Sequence, residues 1–212
     1  MEKYENEEYT NKNLIRREEF GDIYKVENKA IKIIDIEEIL KWMDYENETY
    51  EEAYNSEIKR IKNGIENMKE CSKNNEYSVK CYDYFQNDNR IGIIMEYCDD
   101  NLSHLLKRRK CGFNAKEIYE IMYQLNKTFK IMKENKIVHR DIKLEHILIK
   151  YENNNILNFI CKLAGYDLSI KINDFIKLNE FAGTIITMAP EILELGEKEK
   201  KKNIQTNVIY GV

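Results

Sequence analysis

The chain lacks the marks of several protein classes. Its five cysteines (Cys71, Cys81, Cys98, Cys111 and Cys161) contain no C-x-x-C pair and no neighbouring His cluster, so neither a zinc site nor a disulfide framework is signalled. They read as reduced thiols. No apolar run approaches the roughly 20 residues that span a bilayer. The first thirteen residues are acidic and rich in Asn, rather than basic and then apolar as in a secretory leader. A basic excess is missing too: 34 Lys and Arg stand against 38 Asp and Glu, a formal charge of -4, which argues against a dedicated nucleic-acid binder. Proline occurs once, at Pro190. The expected setting is intracellular, cytoplasmic or nuclear, with protein partners or a protein substrate and with neither nucleic acid nor membrane.

What is present is enough to bury a core: 212 residues, 42% hydrophobic and 11% aromatic. Residues 1–13 read as an acidic tail. From residue 14 to 36, apolar and polar residues alternate around Gly21, predicting two or three short antiparallel strands. Between about Glu37 and Lys69 the spacing of Ile58, Ile61, Ile65 and Met68 predicts one main helix, with room for a shorter one before it. Tyr77 to Phe85 and Arg90 to Tyr97, joined at Asn87-Asp88-Asn89, read as a hairpin. From Asn101 the pattern turns helical, with Asn114 as the N-cap of an amphipathic helix running to about Glu134. Residues 137–149 and 156–168 read as short strands separated by a loop-tip insertion at Tyr151 to Asn155. No internal repeat occurs. The only low-complexity stretch is the charged run Glu197 to Lys202.

Three motifs then fall in a telling order. Ala30-Ile31-Lys32 lies in a predicted strand. Val138-His139-Arg140-Asp141-Ile142-Lys143-Leu144-Glu145-His146-Ile147-Leu148-Ile149 places charged residues between apolar flanks. Phe181-Ala182-Gly183-Thr184-Ile185-Ile186-Thr187-Met188-Ala189-Pro190-Glu191-Ile192-Leu193 contains the single proline. The second resembles the catalytic loop H-R-D-x-K-x-x-N of eukaryotic protein kinases, the third the G-T-x-x-Y-M-A-P-E-I-L segment of that family, and the first its third-strand A-x-K. By these residues the chain is identified as a member of the protein kinase family, Ser/Thr type, over residues 14–212.

The resemblance implies an α+β, bilobal fold: an N-lobe of about 14–97 with an antiparallel sheet and one main helix, and a mainly α C-lobe from about 98 to 212. The family's next helix begins D-x-W/Y-S-L-G-V, whereas this chain closes on Thr206-Asn207-Val208-Ile209-Tyr210-Gly211-Val212, so the C-lobe is expected to be incomplete. Roles follow by position. Asp141 would accept or orient the substrate hydroxyl proton and Lys143 would support the moving phosphoryl group. Lys32 would contact the nucleotide phosphates and pair with Glu57. Ile23, Ala30, Met95 and Leu148 would line the adenine ring of ATP, with Glu96 to Cys98 as the hinge.

Three departures strike phosphate and metal. The Gly-rich loop G-x-G-x-x-G is Arg16-Arg17-Glu18-Glu19-Phe20-Gly21, so Glu18 adds bulk and charge where backbone normally approaches phosphate. His146 stands where the family has a magnesium-binding Asn, and imidazole suits magnesium poorly. Lys162-Leu163-Ala164-Gly165-Tyr166-Asp167-Leu168-Ser169 turns D-F-G into Gly165-Tyr166-Asp167. A slide of two residues along an extended segment would keep side-chain facing and bring Asp167 into the metal position. ATP binding is therefore expected to be possible and magnesium binding doubtful. Three readings stay open: a pseudokinase or very weak kinase acting through partners, an active kinase using Asp141 as base and Asp167 as an unusual metal ligand, and a truncated product without activity of its own. The stretch between Leu168 and Gly183 offers no hydroxyl except Ser169, so Asp174 or Glu180 is expected to pair with Arg140 in place of a phosphate.

Overall fold

The computed structural model describes residues 13–42, 49–152, 155–172 and 182–194, with the backbone alone at 155–157. The acidic tail apart from Asn13, the charged run Glu197 to Lys202, and both Asp174 and Glu180 lie outside the described residues. Three strands open the fold: β1 (Leu14–Glu18), β2 (Gly21–Val26) and β3 (Lys29–Asp35). They join β4 (Cys81–Asn87) and β5 (Arg90–Glu96) in an antiparallel five-stranded sheet ordered β1-β2-β3-β5-β4. The hairpin prediction holds at its turn but not at its start. Residues 77–79 run instead against the C-lobe, where Leu163 N–H donates to the Tyr77 carbonyl and Val79 N–H to that of Leu163, while the Lys80 carbonyl already accepts from the Glu96 N–H of β5. Backbone groups outside the sheet found partners there, which periodicity alone does not reveal.

Two helices follow β3. The short α1 (Ile36–Leu40) starts on the Asp35 cap, and the long α2 (Tyr50–Ser72) starts on a capping box in which Thr49 and Glu52 exchange hydrogen bonds. Ala53, Glu57, Ile61, Gly64, Ile65, Met68 and Cys71 form the buried stripe of α2. Gly64 matters there for closeness: a β-carbon would sit 2.7 Å from the Tyr166 carbonyl oxygen, so only glycine lets the helix reach that turn.

Beyond β6 (Asp100–Asn101) come α3 (Leu102–Arg108) and α4 (Ala115–Glu134), the latter capped by Asn114 as expected, with Glu117 completing a capping box. Ile121, Leu125, Thr128 and Met132 bury one face of α4 at the 3.6-residue period. Then β7 (Ile137–Val138), β8 (Ile147–Glu152) and β9 (Asn155–Leu163) carry the chain under the cleft, and β10 (Ile170–Lys171) pairs back to β7. A continuous apolar core links the lobes, from Ile34 and Ile61 through Met95 to Leu125, Ile149 and Leu163. Each such fully buried Ile or Leu contributes about 1.5–3 kcal/mol. The fold is the α+β kinase-like architecture, with the cleft between sheet and catalytic loop.

Candidate functional site

Alternation along strands assembles the upper wall of the cleft. Ala30 and Lys32 share a face of β3, and the register sets Ile23 opposite Lys32 and Ala30 opposite Met95. These four, with Glu96, Cys98, Leu148 and Asp167, line one cavity of about 270 Å3. One end is apolar. At the hinge, Glu96 pairs with Lys162 at 3.2 Å, and Lys150 Nζ donates to the Tyr97 carbonyl at 2.8 Å. Burial, and then the Glu96 charge, pushes the Cys98 thiol up to about 12, so it meets a ligand as neutral sulfur.

The other end is ionic. Lys32 is almost fully buried and its Nζ donates to Asp167 Oδ1 at 2.7 Å and to Glu18 Oε2 at 3.3 Å. Burial pulls the ammonium down, but Asp167 and then Glu18 more than offset it, and its pKa is raised. Burial likewise opposes ionisation of Asp167, and the charge and hydrogen bond of Lys32 overcome it, holding that carboxyl below its usual range. Asp167 does not arrive by sliding along an extended segment. Tyr166–Leu168 is a 3₁₀ turn entered from Gly165 in the left-handed region at φ 76°, and that turn swings Asp167 to Lys32.

Gly165 and His146 compete for one space. A β-carbon on Gly165 would lie 2.3 Å from His146 Nδ1, so the imidazole fills the space a side chain at 165 would need. His146 is buried, and burial lowers its pKa, leaving it neutral. Its Nδ1 lies 2.8 Å from the Asp141 carbonyl, which can only accept, so Nδ1 carries the proton. Only Nε2 keeps a lone pair. A magnesium ion fits this set poorly. Asp167 is engaged by Lys32 and Asp141 by its own partners, and among the described residues no group of three His, Cys, Asp or Glu side chains is placed to hold a metal.

Asp141 and Lys143 line an adjoining hollow of about 520 Å3 that shares Arg16, Glu18, His146 and Asp167 with the first cavity. Lys143 Nζ lies 2.9 Å from Asp141 Oδ2 and donates to Thr184 Oγ1 at 3.1 Å, while the Thr184 hydroxyl donates to Asp141 Oδ1. Burial raises the Asp141 pKa, but these hydrogen bonds prevail and keep it lowered. Beneath, His139 Nε2 bonds the Ala164 carbonyl at 2.9 Å and its Nδ1 accepts from the Asp141 N–H at 3.3 Å. Burial takes His139 down to about 4, so this neutral tautomer is fixed. The Tyr166 ring lies 4.9 Å from His139, and its hydroxyl shares a buried hydrogen bond of 2.8 Å with Ser78.

One expected pair is replaced. Glu57 does not meet Lys32; it forms a two-point bridge with Arg60, three residues along α2, with one contact at 2.8 Å. Arg60 also donates to the Asp167 carbonyl and stacks 4.7 Å from the centre of the Phe20 ring. With Asp167 and Glu18 on Lys32, Glu57 turns to the cation on its own helix. Arg140 Nε donates to the Leu168 carbonyl at 2.6 Å. Sequence reasoning missed Arg60, Ser78 and the Lys32–Glu18 contact. An i, i+3 acid–base pair at 57 and 60, and opposite charges on strands that fold together, were the available signals.

The sequence matches the protein kinase domain family over residues 9–208. It is 34% identical over 137 residues to the probable serine/threonine-protein kinase fnkE of Dictyostelium discoideum, covering 62% of this chain and 10% of that protein. It is 27% identical over 180 residues to serine/threonine-protein kinase 33 of Bos taurus (82% and 36%) and 29% identical over 184 residues to the Aurora kinase of Saccharomyces cerevisiae (84% and 44%). The chain thus spans less than half the length of these curated relatives. By this family match over nearly the whole sequence and by these relatives, the chain belongs to the eukaryotic protein kinase family, in its serine/threonine branch.

Proposed function

We propose that this domain is a pseudokinase or very weak kinase: it keeps a site for a purine-like base, handles phosphate and magnesium poorly, and acts through protein partners. The carrying observation is the state of Lys32, whose charge is already taken by Asp167 at 2.7 Å and Glu18 at 3.3 Å. Phosphoryl transfer rests on positioning and electrostatic stabilisation of phosphate. A lysine held between two carboxylates supplies little of either. The pairing of Gly165 with His146 adds that a metal-binding carboxylate at 165 has no room.

A second reading, an active ATP-dependent Ser/Thr kinase with Asp167 as its metal ligand, is favoured by one observation. Asp141, Lys143 and Thr184 stand together as a base and its supports would. Assay of γ-phosphate transfer from ATP to general protein substrates, with magnesium or manganese, separates the two. Transfer at or barely above background is expected, with any trace lost in Asp141→Asn. Transfer far above background that disappears in Asp141→Asn would overturn this reading and install the second.

A further inference from the structure

The Gly-rich position that became Glu18 does more than lose a glycine. Glu18 ends β1, and its mostly buried side chain is directed into the cleft, where it lines both hollows and meets Lys32 at 3.3 Å. Arg16, two residues earlier on the same face of the strand, lies 3.7 Å from Glu18 and donates across the cleft to the Glu145 carbonyl at 3.5 Å. β1 is thus tied to Lys32 above and to the catalytic loop below.

From this geometry we propose that Glu18 is a specificity-determining residue, one that makes the cleft take a neutral, nucleoside-like ligand in preference to a nucleoside polyphosphate. The inference rests on the base cavity of the preceding reading and names the ligand that cavity takes. Charge carries it. Around the polar hollow and Lys32 beside it, four carboxylates (Glu18, Glu19, Asp141 and Asp167) face four cations (Arg16, Arg17, Lys32 and Lys143), so the site brings no excess positive charge for a polyphosphate. Of those cations, Arg16 already faces Glu18 and Lys143 faces Asp141, while Lys32 is shared by Glu18 and Asp167. A polyphosphate must therefore displace Glu18 from Lys32 and then lie beside it, like charge against like charge in a partly desolvated cleft. A neutral nucleoside meets none of this. Its base fits against Ile23, Ala30, Met95 and Leu148, and its sugar reaches the ionic end without adding charge. The apolar cavity of about 270 Å3 is of a size for a nucleoside, and a polyphosphate would have to extend past Glu18 into the adjoining hollow.

The test is calorimetric titration of the full chain with adenosine and, separately, with magnesium-free ATP, for wild type, Glu18→Gln, Glu18→Gly and Glu66→Gln. Gln keeps the shape of Glu18 and removes its charge; Glu66 is an exposed carboxylate paired with Lys69, so its variant makes the same change in net charge away from the cleft. Wild type should bind adenosine at least as tightly as ATP. Both Glu18 variants should tighten ATP by about tenfold or more while adenosine stays within about twofold, and Glu66→Gln should change neither. Equal tightening of both ligands would make Glu18 a steric gate and overturn charge selection. An unchanged ATP-to-adenosine ratio in both Glu18 variants would overturn the inference while leaving the base cavity standing. Failure of every form to bind either ligand would overturn the base cavity and the inference together.

Discussion

Two ends of one cleft have fared differently in this chain. The base end is lined by Ile23, Ala30, Met95 and Leu148, the phosphate end by Glu18, Lys32, His146, Gly165 and Asp167. At the base end any apolar residue of suitable size serves, and the residues that would hold a base also hold the lobes together: Ala30 and Met95 belong to the continuous core. Folding alone preserves that end. At the phosphate end, function needs particular atoms, whereas stability needs only that buried charges find partners. Lys32 between Asp167 and Glu18, and His146 in the hollow of Gly165, satisfy stability with partners drawn from the protein itself. On the reading proposed above, such a site stays well packed while its chemistry is lost.

The sharpest way to break this contrast is to force the phosphate end back. Gly165→Asp places a β-carbon against His146 and an L side chain at φ 76°, so it should destabilise by about 3–4 kcal/mol. The double variant Gly165→Asp/His146→Asn should recover more than about 1 kcal/mol of that loss in urea unfolding. Strict additivity would show that the imidazole and the glycine are unrelated.

Next in size is Lys32→Met, which leaves Asp167 and Glu18 facing each other without their cation and should cost about 2–3 kcal/mol. Its pH signature has a definite sign. Asp167 is held below its ordinary 3.8, so it contributes stability above that pH and loses it as pH falls further. Removing Lys32 takes away the attraction that overcomes burial, so the Asp167 pKa rises and the variant's stability deficit relative to wild type should shrink as pH falls through about 4. Lys32, raised above 10.5, contributes at all lower pH and is lost only as alkaline pH passes its folded value. Acid unfolding curves that superimpose would contradict the pairing.

Much of the fold was legible because its signals are local and repeated. The cap at Asn114, the alternation around Gly21 and the apolar face of α4 each specify an element on their own. The site was legible where motif order placed residues, as with Asp141, Lys143 and Lys32 in one cleft. It was not legible where a choice of partner decided. Lys32 had three acids within reach of the fold, and whether it takes Glu57 or Glu18 depends on Arg60, which claims Glu57. The path of Asp167 was hidden for a similar reason, since a left-handed Gly165 and a 3₁₀ turn replace the extended segment that alternation assumes.

Smaller effects sharpen the contrast from the structural side. Ser78→Ala should cost about 1 kcal/mol, because it leaves the buried Tyr166 hydroxyl with only the weaker Cys71 thiol as partner. Arg16→Gln should change stability by less than about 0.5 kcal/mol, since its contacts are long and partly exposed. Thermal or urea unfolding checks both. A large loss in Arg16→Gln would mean that β1 is held mainly across the cleft rather than by its sheet.

The central claim is that base binding survives while metal-assisted phosphate binding does not, and one measurement addresses it directly: the dissociation constant of ATP for the full chain with and without magnesium, by calorimetry. The account predicts weak binding whose constant changes by less than about threefold on adding magnesium, because no carboxylate at 165 and no oxygen ligand at 146 wait for the ion. Binding that tightens more than about tenfold with magnesium would contradict it and show that Asp167 leaves Lys32 to hold the metal.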